Sequence, residues 1–254
     1  MTTLQIVSDL HIEYNNDLCV DPLTYITPSA DILIMAGDIG SLYKYDQLFS
    51  FIRDIVPHFK HVLYVPGNHE YYIPVEEQVY KPMYWFQMKQ LLEQLDGSFT
   101  NFNVLDRGSV QIGDLCIAGT TLWSDIKCEL PKFIVKIHGM TTEFYKTMYE
   151  NDLKYITEII NHCNSNNLKL VCVTHHPPTY QTIVGSKKRK RFISLYASDL
   201  DYLLESKNID TWICGHVHLN FDFVSEGGCR VVGNQKGKPK DSIIDYKKDF
   251  IITK

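Results

Sequence analysis

The chain has no Cys-x-x-Cys pair, no apolar run long enough to cross a bilayer, no internal repeat and no low-complexity linker. Each absence removes a class of protein. Seven cysteines, an odd number and scattered, do not suit a disulfide framework, so a reducing, intracellular (cytoplasmic) setting is expected. The first residues carry a strand pattern in place of a basic start and an apolar run, so no signal peptide is expected. Without a long apolar stretch, no membrane association is expected either. Positive charge is not in excess: the formal net charge of -5 speaks against a general polyanion-binding surface and leaves room only for a local basic patch. With no linker in sight, the 254 residues read as one domain, 1–254, large enough for a sizeable core. What remains is an ordinary globular composition, 44% hydrophobic and 22% charged, unlike that of a disordered chain.

The apolar patterning alternates between strands and helices, as an α/β chain requires. Buried strands are expected at Leu4–Ser8, Asp31–Ala36, Val62–Val65, Leu115–Thr120, Leu168–Thr174 and Thr211–Cys214. Val110–Ile112 pairs with Leu115–Thr120 across a Gly113-Asp114 turn. A hairpin-like pair spans Phe221–Val224 and Arg230–Val232, and Ile243–Ile252 supplies final strands. Helical spacing is read over Tyr43–Val56, Val75–Leu95, Thr142–Cys163 and Ala197–Leu204, with Pro82 breaking or kinking the second near its start. Strand, helix, strand spacing implies parallel pairs with right-handed crossovers.

The chemistry sits where these strands stop. Asp9 and His11 follow the first, and in extended backbone they would share a face. Gly37-Asp38 follows the second, placing an acid at a carboxyl end where open α/β sheets bind ligands. Pro66-Gly67-Asn68-His69-Glu70 follows the third, His175-His176 a later one, and Gly215-His216-Val217-His218 the last of the buried strands. Each piece alone is also compatible with a turn or a cap. Together they bring seven candidate metal ligands to one sheet edge: Asp9, His11, Asp38, Asn68, His175, His216 and His218. Seven is too many for one ion and suits two divalent ions sharing a carboxylate. Oxygen and imidazole donors without thiolate fit manganese first, with iron, zinc or nickel as alternatives. Two carboxylates against two dications leave a local positive excess that attracts a phosphate and acidifies water from its bulk value toward about 7. Lys187, Lys188, Arg189, Lys190 and Arg191 read as a solvated loop or as a basic flap over an anionic substrate.

Asp9-x-His11, Gly37-Asp38, Gly67-Asn68-His69-Glu70, His175 and Gly215-His216-Val217-His218 resemble, in order and spacing, the five motif blocks of the calcineurin-like metallophosphoesterases. The resemblance spans nearly the whole chain. It implies an α/β fold in which two mixed β-sheets form a sandwich flanked by helices. It implies that Asp9, His11 and His218 hold one metal, that Asn68, His175 and His216 hold the other, and that Asp38 bridges them. A hydroxide shared by the two ions would attack phosphorus in line, and His69 would protonate the leaving alkoxide, with Asn68, His69 and His176 facing the substrate. Where the family's protein Ser/Thr phosphatases have a further Asp and an Arg after Gly-Asp, this chain has Ser41 and Leu42. The expected substrate is therefore a small phosphomonoester or phosphodiester, with nucleotides among the candidates, rather than a phosphoprotein. The alternatives are a metal-dependent nuclease and a non-catalytic scaffold that keeps the fold. No partner orienting His69 is visible in the sequence.

Overall fold

The computed structural model describes residues 2–74, 80–184, 192–205 and 209–254. The basic stretch Lys187 to Arg191 lies outside the described residues. Strands arise where apolar side chains alternate between two buried faces. In β1 (Thr3–Val7), Leu4 and Ile6 point one way and Val7 the other. In β2 (Ile32–Ala36), Ile32, Ile34 and Ala36 oppose Leu33 and Met35; in β3 (His61–Val65), Leu63 and Val65 oppose Val62 and Tyr64. The first set of each strand meets Ile117, Val171, Val173, Ile213 and Val232 of a second sheet to form the core between the sheets. The second set packs beneath helices.

The first sheet has the order β11-β1-β2-β3-β4, with β4 at Phe102–Val104 and β11 at Ile251–Thr253; only β11 runs antiparallel. The second comprises β5 (Gly108–Ile112), β6 (Leu115–Thr120), β7 (Lys169–Thr174), β8 (Ile209–Ile213), β9 (Phe221–Val224) and β10 (Arg230–Gly233), in the order β5-β6-β7-β8-β10-β9. Its four central strands are parallel and β5 and β9 are antiparallel edges. Helix α1 (Tyr45–Ile55) covers the outer face of the first sheet through Leu48, Phe51, Ile52 and Ile55. Helix α3 (Thr142–Ser165), whose first turn is capped by the Thr141 hydroxyl accepting from Phe144 N, packs on β6 and β7. The two sheets are stitched at one edge: Ser8 N donates to Asn234 O and Lys236 N to Ser8 O. The carboxyl ends of β1, β2, β3, β7 and β8 open toward that edge.

Three expected elements differ. The helix read over Val75–Leu95 is α2, Trp85–Asp96; residues 75–79 lie outside the described residues, and 80–84 are not helical. Pro82 has no N–H to give and its ring would clash with the preceding turn, while Gln87 Oε1 accepts Tyr84 N where the helix begins. Of Ala197–Leu204 only α4, Asp201–Leu204, is helical. The preceding residues serve the loop after β7 instead, Ser198 N donating to Pro177 O and Leu200 N to Pro178 O. Of Ile243–Ile252 only the end joins β11, because Lys247 gives its N–H and C=O to the Asn234 side chain. Among the described residues no helix is long and apolar enough to cross a membrane.

Candidate metal centre

After β1, β2 and β8 the backbone soon leaves extended geometry. Asp9, His11, Asp38, His216 and His218 all take positive φ, between 51° and 70°, a region in which L-residues other than Asn or Asp are uncommon. The expectation that Asp9 and His11 share a face through extended backbone is therefore corrected: they meet because each turns sharply, and His216 and His218 do the same. Such conformations cost of order 1 kcal/mol each and persist where the surroundings over-determine them. Here the surroundings are unusually tight. A Cβ on Gly67 would press on the Asp38 carboxylate and lie 2.8 Å from His175 Cε1, so only glycine lets these two loops approach.

Asp38 stands at the centre. Its Oδ2 lies 3.7 Å from His11 Nε2 and its Oδ1 lies 3.3 Å from His175 Nε2. On the first side, Asp9 Oδ1 is 3.2 Å from His218 Nε2, and His218 Nε2 is 3.1 Å from His11 Nε2. On the second, Asn68 Oδ1 is 3.0 Å from His175 Nε2. Donor atoms of Asp9, His11, Asp38 and His218 all lie within 4.8 Å of one another, and so do those of Asp38, His175 and His216. All seven residues singled out as ligands are brought together, and His69 and His176 border the same space.

Hydrogen bonds fix which ring nitrogens face inward. His11 Nδ1 donates to Glu13 Oε1 at 2.9 Å, and His218 Nδ1 donates to Asp241 Oδ2 at 2.5 Å. His175 Nδ1 donates to Ala36 O at 2.9 Å, and His216 Nε2 donates to Leu195 O at 3.2 Å. The remaining nitrogens of the neutral rings then present lone pairs to one another and to carboxylates. Lone pairs at 3.1 Å repel unless a proton or a metal cation stands between them. The protonation pattern says the same. Burial opposes charge on His175, yet the Asp38 carboxylate, and Asp9 beyond it, hold it up, to about 9. Burial likewise opposes charge on His218, which Asp241 and Asp9 raise to about 9. Each half of the cluster thus has reason to hold a positive charge, and the donor set fits two divalent ions. His176, by contrast, is pushed down to about 3 by burial and by the neighbouring His175, so it stays neutral. Metal uptake must displace the protons on His175 and His218. Titrating manganese into metal-free protein in weak buffer near pH 7.5 is expected to release protons, read with a pH indicator; uptake with no release would contradict this arrangement.

Four residues with no role assigned from the sequence complete the centre, one of them, Glu70, inside a motif already noted. Glu13 Oε1 also lies 3.3 Å from His69 Nδ1, so one carboxylate steadies both His11 and His69. Burial would raise Glu13, but the two imidazoles hold it down, at about 2. Glu70 is fully buried and ties two loops, accepting Asp38 N and Gly67 N at Oε2 and Ile39 N and the Tyr64 hydroxyl at Oε1. Asp241 orients His218. Lys238 Nζ lies 2.8 Å from His69 Nε2. A cavity of about 480 Å³ opens over the cluster, with Tyr14, Tyr72, Tyr145, Phe133 and Leu195 among its walls. Trp123 is buried behind the centre against Tyr145 and His176.

The family model described as calcineurin-like phosphoesterase matches residues 3–220. The uncharacterized protein L509 of Acanthamoeba polyphaga mimivirus is 27% identical over 257 residues, covering 89% of this chain and 88% of that protein. Among solved structures, the phosphopantetheinyl hydrolase PptH of Mycobacterium tuberculosis has a TM-score of 0.65 at 15% identity, over 94% of this chain and 90% of that one. A dimetal phosphatase from Danio rerio has a TM-score of 0.51 at 11% identity, over 91% and 86%. At these identities the likeness speaks for the fold, two mixed sheets flanked by helices.

Proposed function

From the premise that the chain belongs to the calcineurin-like phosphoesterase family, we propose that it is a dinuclear metal-dependent phosphohydrolase acting on a small phosphate ester, with nucleotides among the candidates. The observation that carries this is the placement of Asp38, one carboxylate oxygen toward the His11 group and the other toward His175. Asp9, His11 and His218 would hold one ion, Asn68, His175 and His216 the second, and Asp38 both. Manganese is the first candidate, with iron, zinc or nickel as alternatives. When bound, two such ions lower the pKa of water and neutralise charge on phosphoryl oxygens. The chain supplies the rest. His69 borders the cavity and is assigned the proton for the leaving oxygen; Glu13 fixes its ring through Nδ1, so Nε2, which meets Lys238 Nζ before substrate arrives, is the nitrogen that would carry that proton. His176, neutral, faces the substrate as a dipole rather than a charge. Ile73, Pro74, Phe133 and Leu195 give the cavity an apolar side that limits water.

The test is hydrolysis of a nitrophenyl phosphate ester. Protein dialysed against a strong chelator should be inactive and should recover when manganese is restored; full activity without metal would overturn the reading. His69→Ala should lower kcat by about 10²- to 10⁴-fold with metal content unchanged. Glu13→Gln should act through its two imidazoles, costing about 10- to 100-fold in activity or metal affinity. Steady-state kinetics beside elemental analysis separates the two routes: wild-type kcat and metal affinity in Glu13→Gln would show that the shared carboxylate orients nothing.

A further inference from the structure

Gln235, Lys238 and Asp241 lie beyond residue 220, where the family match ends, yet all three reach into the centre. Gln235 Oε1 accepts His218 N at 2.6 Å. Asp241 Oδ2 accepts both His218 Nδ1 and Lys238 N, the latter at 2.9 Å. The same short segment therefore holds a candidate ligand and sets the start of the Lys238 side chain.

An ammonium carries three N–H donors. One of those of Lys238 meets His69 Nε2 at 2.8 Å. Among the described residues it has no other hydrogen-bond partner, and no carboxylate lies within 4.0 Å of it. Lys238 lines the cavity together with Asp38, Asn68 and His218, so its remaining donors open onto the space above the cluster. Lys44, also in the cavity wall, differs: its ammonium is turned to two backbone carbonyls, Glu13 O at 2.6 Å and Asn15 O at 3.5 Å. A half-buried ammonium with unused donors gains from an anion that completes it. His69 cannot be that anion, since an imidazole offers only a lone pair or a proton.

We propose that Lys238 is the phosphate anchor of this site: its ammonium donates to an unesterified oxygen of the substrate's phosphoryl group beside His69, which sets the leaving oxygen toward His69 Nε2. This rests on the phosphohydrolase reading and narrows it. A phosphomonoester dianion has three unesterified oxygens and more charge to meet a third cation than a diester, which has two. The anchor therefore favours monoesters.

The test uses the full-length, manganese-loaded protein and inorganic phosphate as a probe by titration calorimetry. Lys238→Met should weaken phosphate binding by about 10- to 100-fold, with metal content and melting temperature unchanged, and Lys238→Arg should recover most of it. With nitrophenyl phosphate, KM should rise by a similar factor while kcat changes less; with bis(nitrophenyl) phosphate, KM should move less than about threefold. Unchanged phosphate affinity in Lys238→Met, wild-type protein that takes up no phosphate, or a fall in kcat at constant KM would each overturn the anchor. Protein that binds phosphate through Lys238 but cleaves no ester would sustain the anchor and sink the phosphohydrolase reading.

Discussion

Asp38→Asn is expected to leave a folded protein that retains at most one ion per chain and loses turnover by about 10³-fold or more, equivalent to about 4 kcal/mol of transition-state stabilisation. The side chain keeps its size, and an amide oxygen can still accept the His69 N–H that Oδ1 accepts now at 2.7 Å. What changes is charge. Asp38 presents one oxygen to each half of the cluster, 3.7 Å from His11 Nε2 and 3.3 Å from His175 Nε2. An amide would turn an N–H toward one of those ring nitrogens and remove a negative charge between the two candidate ion sites. Elemental analysis and steady-state rates on the same preparation would check both halves of the claim. Two ions bound at wild-type affinity, with activity intact, would remove Asp38 from the bridge.

The same variant has a signature in the metal-free protein. His175 is held up to about 9, against burial, chiefly by Asp38, whereas an unfolded histidine titrates near 6.5. A raised folded value stabilises the native state fully below about 6.5 and ceases to do so as pH rises through about 9. Asp38→Asn removes that contribution. The melting-temperature gap between metal-free wild type and variant should therefore be widest below pH 6.5 and should shrink toward pH 9. A gap that widens with pH would mean His175 is not the proton carrier.

Strand ends were legible because a buried strand has no use for an acid or an imidazole. Asp38 after Ile32–Ala36 and His175 after Lys169–Thr174 stand out against apolar neighbours. Their meeting follows from parallel strands, which the spacing implies. The backbone that aims them is a different matter. Nothing in the letters of Asp9 or His218 announces a left-handed turn, because positive φ is imposed by partners far along the chain. Glu13 is only two residues from His11, yet it opens a polar loop in which any carboxylate reads as solvated. Asp241 and Lys238 are 23 and 169 residues from the imidazoles they hold, and no periodicity links such positions. For the helix read over Val75–Leu95 the letters left a choice at Pro82, a break or a kink, and the missing N–H makes it a break, with the helix starting at Trp85.

Glu70→Leu is the second large expectation, and its effect is on the fold around the centre. The carboxylate is fully buried and accepts Asp38 N at 3.0 Å, Gly67 N at 2.8 Å, Ile39 N at 2.8 Å and the Tyr64 hydroxyl at 2.6 Å, with Gly40 N further out at 3.4 Å. Burial, with Asp38 nearby, pushes the Glu70 carboxyl up, to about 8, while these donors pull it back. Leucine fills much of the volume and satisfies none of the donors. A buried donor without a partner costs about 1–3 kcal/mol, so four together should cost on the order of 4 kcal/mol or more, against a total stability of about 5–15 kcal/mol. The loss falls where the Gly37–Gly40 and Gly67–Asn68 turns are pinned, so both candidate ion sites should loosen with it. Glu70→Gln keeps one accepting oxygen and turns an amide N–H toward donors on the other side, an intermediate cost of about 1–3 kcal/mol. Thermal unfolding should rank wild type above Gln above Leu, with manganese affinity in the same order. Were the leucine variant to melt with wild type and bind both ions, the positive-φ turn at Asp38 would need another support, and among the described residues no other buried side chain gathers the N–H groups of two site loops at once.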